Sequence, residues 1–235
     1  MTAVAEGTAA TTSGDVALER ATKWANDYAA RLTERAEHRL AELASHSNGN
    51  GVRPRIGEPT TGDPTTGFYV GFDVVATSPI QFGGPPPYQP SKVIAAGEQA
   101  FLIAFIFVNP TVNIPLGWAI PATVQLGGRT WRMTLDQGNL TTGGVLPQQV
   151  QTATFTSPAA TITPVIFSLA TPNPGPDPAL IEANVTVDIV DPAQPYAAFA
   201  TNFLDVDNDP GFLGVPATAA GFRHELPNRY LIYSE

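Results

Sequence analysis

The fold is decided by the stretch GEQAFLIAFIFVNP, residues 97–110. Its centre, from Ala100 to Val108, contains no polar residue. A strand with one face in water alternates polar and apolar residues, so an unbroken apolar run indicates a strand with both faces covered. Breaker residues at both ends keep the run far shorter than the roughly 20 residues of a membrane-spanning helix. We therefore predict the central strand of a packed β-domain.

Other segments do alternate, as strands with one wet face do. The cleanest spans residues 181–189, where Ile181, Ala183, Val185, Val187 and Ile189 alternate with polar residues. Further strand patterns lie at 68–74, 151–156, 161–170, 196–204 and 229–233, and Pro164 marks the third of these as an edge strand or a bulge. Turn signals separate about eight or nine strands, with no helical pattern between them. We predict a mainly β fold, an antiparallel β-sandwich of immunoglobulin-like or jelly-roll type.

A β-hairpin is predicted around Gly127-Gly128. Two short apolar-alternating segments, 122–126 and 129–133, flank this glycine pair, which suits a two-residue hairpin turn. The implied register places Val124 opposite Trp131 and Ala122 opposite Met133 on one face.

One long amphipathic helix is predicted ahead of the β-domain, over residues 14–45. From Asp15 to Ala44 the chain lacks Gly and Pro and is rich in strong helix formers. Its apolar residues recur every three or four positions and form one stripe: Leu18, Ala21, Ala25, Tyr28, Leu32, Ala36, Leu40 and Leu43.

The stripe has three alternative partners. It packs on the β-domain of its own chain, on helices of other subunits, or on a foreign protein or membrane surface. Mixed acidic and basic residues on the other faces argue against the membrane surface, which favours a strongly basic face. We expect subunit contacts through Leu18, Ala21, Ala25, Tyr28, Leu32, Leu40 and Leu43.

The composition divides the chain into four segments. Residues 1–13 are small and polar, which predicts a disordered tail. The helix of residues 14–45 follows, and residues 46–66 are rich in Gly, Asn, Pro and Thr, as a flexible linker is. The β-sandwich domain is expected over residues 67–235.

Charge argues against nucleic acid as a partner. The formal net charge is −9, and the excess lies after residue 56, where five basic residues face fourteen acidic ones. Such a surface repels phosphates. The chain has no cysteine, which excludes thiol catalysis and cysteine-ligated zinc. With no signal peptide and no membrane span in the sequence, we expect a cytoplasmic protein or part of an assembled particle.

No motif points to catalysis. The three histidines, His38, His46 and His224, lack the short-range partners of a zinc site. Nucleophile-elbow, Walker and dinucleotide signatures are missing as well. We expect a protein that is not an enzyme and that needs no cofactor, with Ca²⁺ as the one candidate ion.

The candidate calcium site is the acidic loop DVDNDPG, residues 205–211. Alternating carboxylates at Asp205, Asp207 and Asp209 supply the oxygen ligands that Ca²⁺ prefers. The loop is not an EF-hand, because Pro216 stands where the bidentate glutamate belongs. An acidic, solvated turn is the competing interpretation.

Two functions remain after these exclusions. The first is a structural or assembly protein, a homo-oligomer whose β-sandwich units are linked by the N-terminal helix. The second is a binding module for carbohydrate or another ligand, with the Asp205–Asp209 loop holding calcium. The modular arrangement of a long helix on a tether favours the first.

Overall fold

The computed structural model describes residues 13–46, 72–110, 120–190, 197–203 and 227–234. The helices are α1 (Ser13–His46) and α2 (Ala122–Leu126). The strands are β1 (Phe72–Thr77), β2 (Ile80–Gln81), β3 (Val93–Ala95), β4 (Ala100–Val108), β5 (Thr130–Asn139), β6 (Gly144–Val145), β7 (Gln149–Thr154), β8 (Ile162–Leu169), β9 (Ala179–Ile189), β10 (Ala197–Phe199), β11 (Thr201–Phe203) and β12 (Asn228–Tyr233).

The strands form two sheets. In the first sheet, β4 pairs with β8 on one side and with β1 and β2 on the other, and β11 pairs with β1. The second sheet runs β3-β12-β9-β5, with β10 on β9 and with β6 and β7 on the free side of β5. Pairing is antiparallel except at β1–β11 and β3–β12. The chain changes sheets at Ala200, which separates β10 from β11.

The mainly β sandwich with one long N-terminal helix is confirmed, and the helix adds a third layer. The second sheet covers one face of the first sheet, and α1 lies against β4 and β8 on the opposite face. Twelve strands are present among the described residues, more than the eight or nine expected, because five of them span only two or three residues. Strands this short carry too few residues for a periodic pattern.

The apolar run of residues 100–108 is β4, and both of its faces are covered as predicted. All nine residues are buried. Those with even numbers, from Ala100 to Val108, lie in the core between the sheets. Those with odd numbers, from Phe101 to Phe107, lie under α1. The run is apolar throughout because β4 lies in the middle layer, between the second sheet and α1.

The strand patterns of residues 161–170, 181–189 and 229–233 are confirmed as β8, β9 and β12, whereas the predicted strand at residues 196–204 is divided, in its described part, between β10 and β11 of different sheets. In β9 the odd-numbered residues from Ile181 to Ile189 are buried in the core between the sheets, while the even-numbered residues are exposed or half-buried. The final strand β12 alternates in the same way, with Tyr230 and Ile232 buried. Each strand therefore presents one apolar face to the first sheet.

The predicted hairpin is wrong. Residues 122–126 form the short helix α2, and β5 pairs with β9 and β7, so both of its sides are occupied. Val124 is 56% exposed instead of lying opposite Trp131. Gly127 lies at a close crossing, where a Cβ would lie 3.3 Å from the Cα atoms of Ser157 and Pro158, whereas Gly128 has open space around it and a positive φ of 74°.

The edges of β2 and β3 meet at a seam between the two sheets, and the side chain of Gln81 bridges this seam with hydrogen bonds. The Gln81 amide binds both backbone groups of Ala95: Nε2 donates to the Ala95 carbonyl at 2.9 Å, and Oε1 accepts from its N–H at 3.0 Å. These are the groups that an incoming strand would otherwise use.

The seam between β7 and β8 is closed in the same manner. Gln149 Nε2 donates to the Ser168 carbonyl at 2.7 Å, and Gln151 Nε2 donates to the Ile166 carbonyl.

The position of Pro164 in β8 fits this arrangement. The carbonyls of Ile166 and Ser168 point away from β4, and the backbone groups of Pro164 point the same way, because Pro164 lies two positions before Ile166 in the strand. Its missing N–H therefore removes no bond to β4. The edge-strand interpretation of Pro164 is confirmed, since β8 pairs with β4 alone among the described strands.

Candidate functional site: the helix-covered face of the first sheet

The helix-covered face is an apolar surface on the outside of the first sheet. Four phenylalanines dominate it, and all of them are at most 2% exposed. Its members are Val75, Ile80, Phe82, Phe101, Ile103, Phe105, Phe107 and Ile162. Burying a large apolar side chain contributes about 1.5–3 kcal/mol. A face of this composition is stable only under a cover.

The cover is the first half of α1. Its buried residues follow helical spacing and lie on one side: Ala17, Ala21, Ala25, Tyr28, Ala29 and Leu32. Four of the six are alanines, whose small side chains let the helix backbone approach the phenylalanine rings closely. Tyr28 and Phe105 make the central aromatic contact, with ring centroids 5.7 Å apart.

Aromatic rings extend the contact beyond the alanine stripe. Trp24 stacks on Tyr28 with centroids 4.7 Å apart and meets the edge of Phe82 at 6.5 Å. Tyr88, from the loop after β2, packs on Phe82 at 4.8 Å. Offset or edge-to-face pairs of this kind add about 0.5–1.5 kcal/mol each. The Arg31 guanidinium lies over the Tyr28 ring at 4.7 Å, a cation–π contact at the rim.

A hydrogen bond fixes the position of α1 along the face. Arg20 Nη1 donates to the Phe82 carbonyl at 2.8 Å. This charged donor on a backbone acceptor lies beside the aromatic cluster, so a shift of α1 by one turn would separate them. By contrast, the Lys23–Asp27 ion pair on the outer side of α1 is exposed and contributes little.

The structure divides the predicted subunit-contact residues into three groups. Ala21, Ala25, Tyr28 and Leu32 are buried on the sandwich of their own chain, which is one of the alternatives that the stripe left open. Leu18 is 46% exposed on the outer side of α1. The side chains of Leu40 and Leu43 lie outside the described residues. Self-association through these seven residues stays a prediction.

The stripe also has members that sequence reasoning left out. Ala17 and Ala29 extend the series 17, 21, 25, 29 at intervals of four, so the same periodicity could have identified them. The contacts that Arg20 and Trp24 make with Phe82 gave no such signal, because Phe82 lies more than 50 positions away from both.

The predicted calcium ligands Asp205, Asp207 and Asp209 lie outside the described residues. Within the described residues, acidic and histidine side chains form no group of three that could hold a metal ion. Nor does any described helix combine the length and apolar character that crossing a membrane requires. Most of the expected tail and linker, residues 1–12 and 47–66, also lies outside the described part of the chain, and their remaining residues Ser13 and His46 are the first and last residues of α1.

A second surface feature is a shallow depression on the outer face of the second sheet. An ion pair belongs to its lining, with Arg132 Nη2 2.8 Å from Asp188 Oδ2 and Nε 3.2 Å from Oδ1. The depression is lined by Arg132, Thr134, Gln148, Val150, Thr186, Val187, Asp188 and Ala197. It offers hydrogen-bonding groups around one exposed valine.

A polar cluster is enclosed in the core between the sheets. Gln137 Nε2 donates to the Tyr230 hydroxyl at 2.7 Å, and both side chains are at most 2% exposed. Burial raises the pKa of Tyr230 far above its ordinary value of 10, and the bond from Gln137 lowers it by less. The Asn228 amide donates to the Thr77 carbonyl, which ties β12 to β1 across the two sheets. This cluster orients the sheets; it does not open to a ligand.

Neither a family model nor a curated protein matches the chain. Among solved structures, the chain is similar to the CARDB domain of a Pyrococcus furiosus protein, solved in complex with di-metal ions. The identity is 11% and the TM-score 0.25, and the match covers 57% of this chain and 90% of that domain. The di-metal ions belong to that protein.

Proposed function

We propose that this protein is a non-enzymatic structural protein that self-assembles. The β-sandwich is the building block, and α1 is the element that contacts neighbouring copies. The observation that carries the proposal is the separable third layer: an apolar face with four phenylalanines is covered by one helix, 25 residues removed in sequence from β1. A tethered helix of this kind gains a high effective concentration near adjacent subunits.

The glutamine contacts hinder strand addition at two sheet edges, those of β3 and β8. Gln81 occupies the backbone groups of β3, and Gln149 and Gln151 occupy carbonyls of β8. Strand addition at these edges would first have to displace the amides. Contacts between copies are therefore favoured at the faces of the sandwich and at α1.

Charge supports α1 as the linking element. Residues 57–235 carry five basic and fourteen acidic residues, so two sandwiches repel each other at close range. The first 56 residues hold seven of each sign. A neutral helical segment meets an acidic neighbour without this repulsion, and Leu18, 46% exposed, adds apolar surface on its outer side.

A binding module is the second candidate. The depression around Arg132 and Asp188 presents Thr134, Thr186 and Gln148 to solvent, and this pattern of hydroxyl, amide and charged groups suits a polar ligand such as a carbohydrate. A calcium contribution from Asp205, Asp207 and Asp209 remains a prediction from the sequence.

The assembly proposal is tested by sedimentation velocity on the full chain from micromolar concentration to several times the millimolar effective concentration of a tethered helix. We expect a discrete species several times heavier than the 24.8 kDa chain. Ala25→Asp places a charge under α1 and should abolish that discrete species, because Ala25 is fully buried. Asn26→Asp adds the same charge on the exposed side and serves as the matched control. A 24.8 kDa monomer at every concentration, or assembly unaffected by Ala25→Asp, contradicts the proposal.

A further inference from the structure

We infer that the helix-covered face is the docking site for α1 of a second copy, so that assembled chains exchange their N-terminal helices. The contacts described within one chain then represent the closed form, and the same contacts made between chains hold the assembly together. This inference rests on the proposed assembly function and specifies its contact.

The helix-covered face and α1 are complementary, which identifies α1 of a second copy as the occupant. Four alanines of α1 face the phenylalanines, Tyr28 meets Phe105, and Arg20 meets the Phe82 carbonyl. Every copy of the chain carries both halves of this contact. An exchanged α1 therefore forms the same bonds on a neighbour as on its own sandwich, without any new surface.

The length of the connection allows the exchange. α1 ends at His46 and β1 begins at Phe72, which leaves 25 residues between them. A chain of that length spans about 25–30 Å as a flexible coil and up to about 85 Å when extended. A sandwich of this size has a radius of gyration of about 15 Å. The face of a touching neighbour is therefore within reach.

Concentration decides between the closed and the exchanged form. Because the two forms share one interface, their free energies differ mainly in the chain entropy of the connection. A flexible tether provides an effective concentration on the order of millimolar. Dilute chains should keep α1 on their own sandwich, and chains packed more densely than this should exchange it.

The blocked edges favour exchange over strand pairing as the route to assembly. An exchanged helix leaves the amides of Gln81, Gln149 and Gln151 in place.

The test is photo-crosslinking between isotopically distinct full-length chains. Trp24 is half-buried and lies 6.5 Å from Phe82, so Trp24→benzoylphenylalanine places a reactive ketone beside that ring. Unlabelled and ¹⁵N-labelled chains are mixed in equal amounts as dilute monomers, concentrated and irradiated. Size fractions are then analysed by denaturing gel and by mass spectrometry of the crosslinked peptides.

With full exchange, about half of the crosslinks joining residue 24 to the Phe82 segment should carry both isotopes, the value for random pairing. The matched control is Tyr88→benzoylphenylalanine, which reaches the same Phe82 ring from within the sandwich at 4.8 Å and should give single-isotope crosslinks. A discrete assembly with single-isotope crosslinks at residue 24 overturns the exchange and leaves the assembly function standing. If no assembly forms, both proposals are wrong.

Discussion

The buried pair Gln137–Tyr230 gives a sharp test of the packing between the sheets. Tyr230→Phe removes the hydroxyl that accepts the 2.7 Å bond and leaves a buried amide donor without this partner. Gln137→Leu removes the donor and leaves the hydroxyl in an apolar site. Each single change should lower the free energy of unfolding by about 1–3 kcal/mol, the penalty for an unsatisfied buried polar group.

The double variant should cost much less than the sum of the single variants. With both polar groups replaced by apolar groups of similar shape, no unsatisfied atom of the pair remains. The interaction energy from the double-mutant cycle should be about 2 kcal/mol, as for residues in direct contact. Urea unfolding of the four proteins measures it, provided that the m-value is unchanged. Additive single effects would refute the argument, because they would mean that the two side chains do not depend on each other.

The same tyrosine gives the chain a specific pH dependence. The folded-state pKa of Tyr230 is raised by burial, so the unfolded chain releases this proton first, at about pH 10. Below that pH the group has no effect on stability. Above it, the free energy of unfolding should fall by up to about 1.4 kcal/mol per pH unit until the folded-state pKa is reached. Tyr230→Phe should remove this part of the decline, and an unchanged slope would contradict the assigned burial.

Two further substitutions test the seam and the covered face. Gln81→Ala removes both side-chain hydrogen bonds to Ala95 and should lower the free energy of unfolding by about 1–3 kcal/mol. The control Gln148→Ala removes an exposed hydrogen bond and should lower it by less than about 0.5 kcal/mol. Equal losses of stability in urea unfolding would contradict the role assigned to Gln81. Phe105→Ala opens a cavity under α1 and should lower the free energy of unfolding by about 3–5 kcal/mol. The control Val150→Ala changes an exposed side chain and should lower it by at most about 0.5 kcal/mol. A loss of stability below about 1 kcal/mol for Phe105→Ala would mean that the helix-covered face is not packed as described.

The strands that could be predicted are those whose burial follows their sequence period. β4 was located to the residue because a nine-residue apolar run between breakers has one consistent interpretation. The buried face of β9 was located because strict alternation survives in the structure as alternate burial, although the strand begins at Ala179, two residues before the predicted start. Such patterns lie within one short segment of the chain, so they can be read from the sequence without knowing which other segments cover the strand.

The hairpin failed because local pattern and long-range pairing disagreed. Trp131 is flanked by Ile189 and Ala153, residues at least 22 positions away, so no side of β5 was left for residues 122–126. The alternation Ala122, Val124, Leu126 is short enough to fit a helix as well, and α2 buries Ala122 and Leu126 four positions apart. The glycine pair suits a turn, but here Gly127 lies against Ser157 and Pro158, and Gly128 adopts a positive φ after the end of α2.

The glutamine seams could not be predicted from the sequence. Gln81, Gln149 and Gln151 lie in segments that alternate weakly, and an amide side chain has no preferred position in a strand. Their role depends on which edges of the two sheets meet, a property of the whole topology. The same holds for Gln137, whose partner Tyr230 lies 93 positions away.

For the helix-covered face, the sequence predicts that a cover is needed but not which chain supplies it. The apolar run of β4 requires a cover on both faces, and the stripe of α1 requires a surface to cover; the sequence contains both requirements. Burial patterns are identical whether the cover comes from the same chain or from its neighbour, because the hydrophobic effect depends on the area removed from water and not on chain identity. The length of the connection between His46 and Phe72 permits either arrangement. On the proposal made above, concentration sets the choice between a closed monomer and an exchanged assembly, and crosslinks between ¹⁵N-labelled and unlabelled chains distinguish the two.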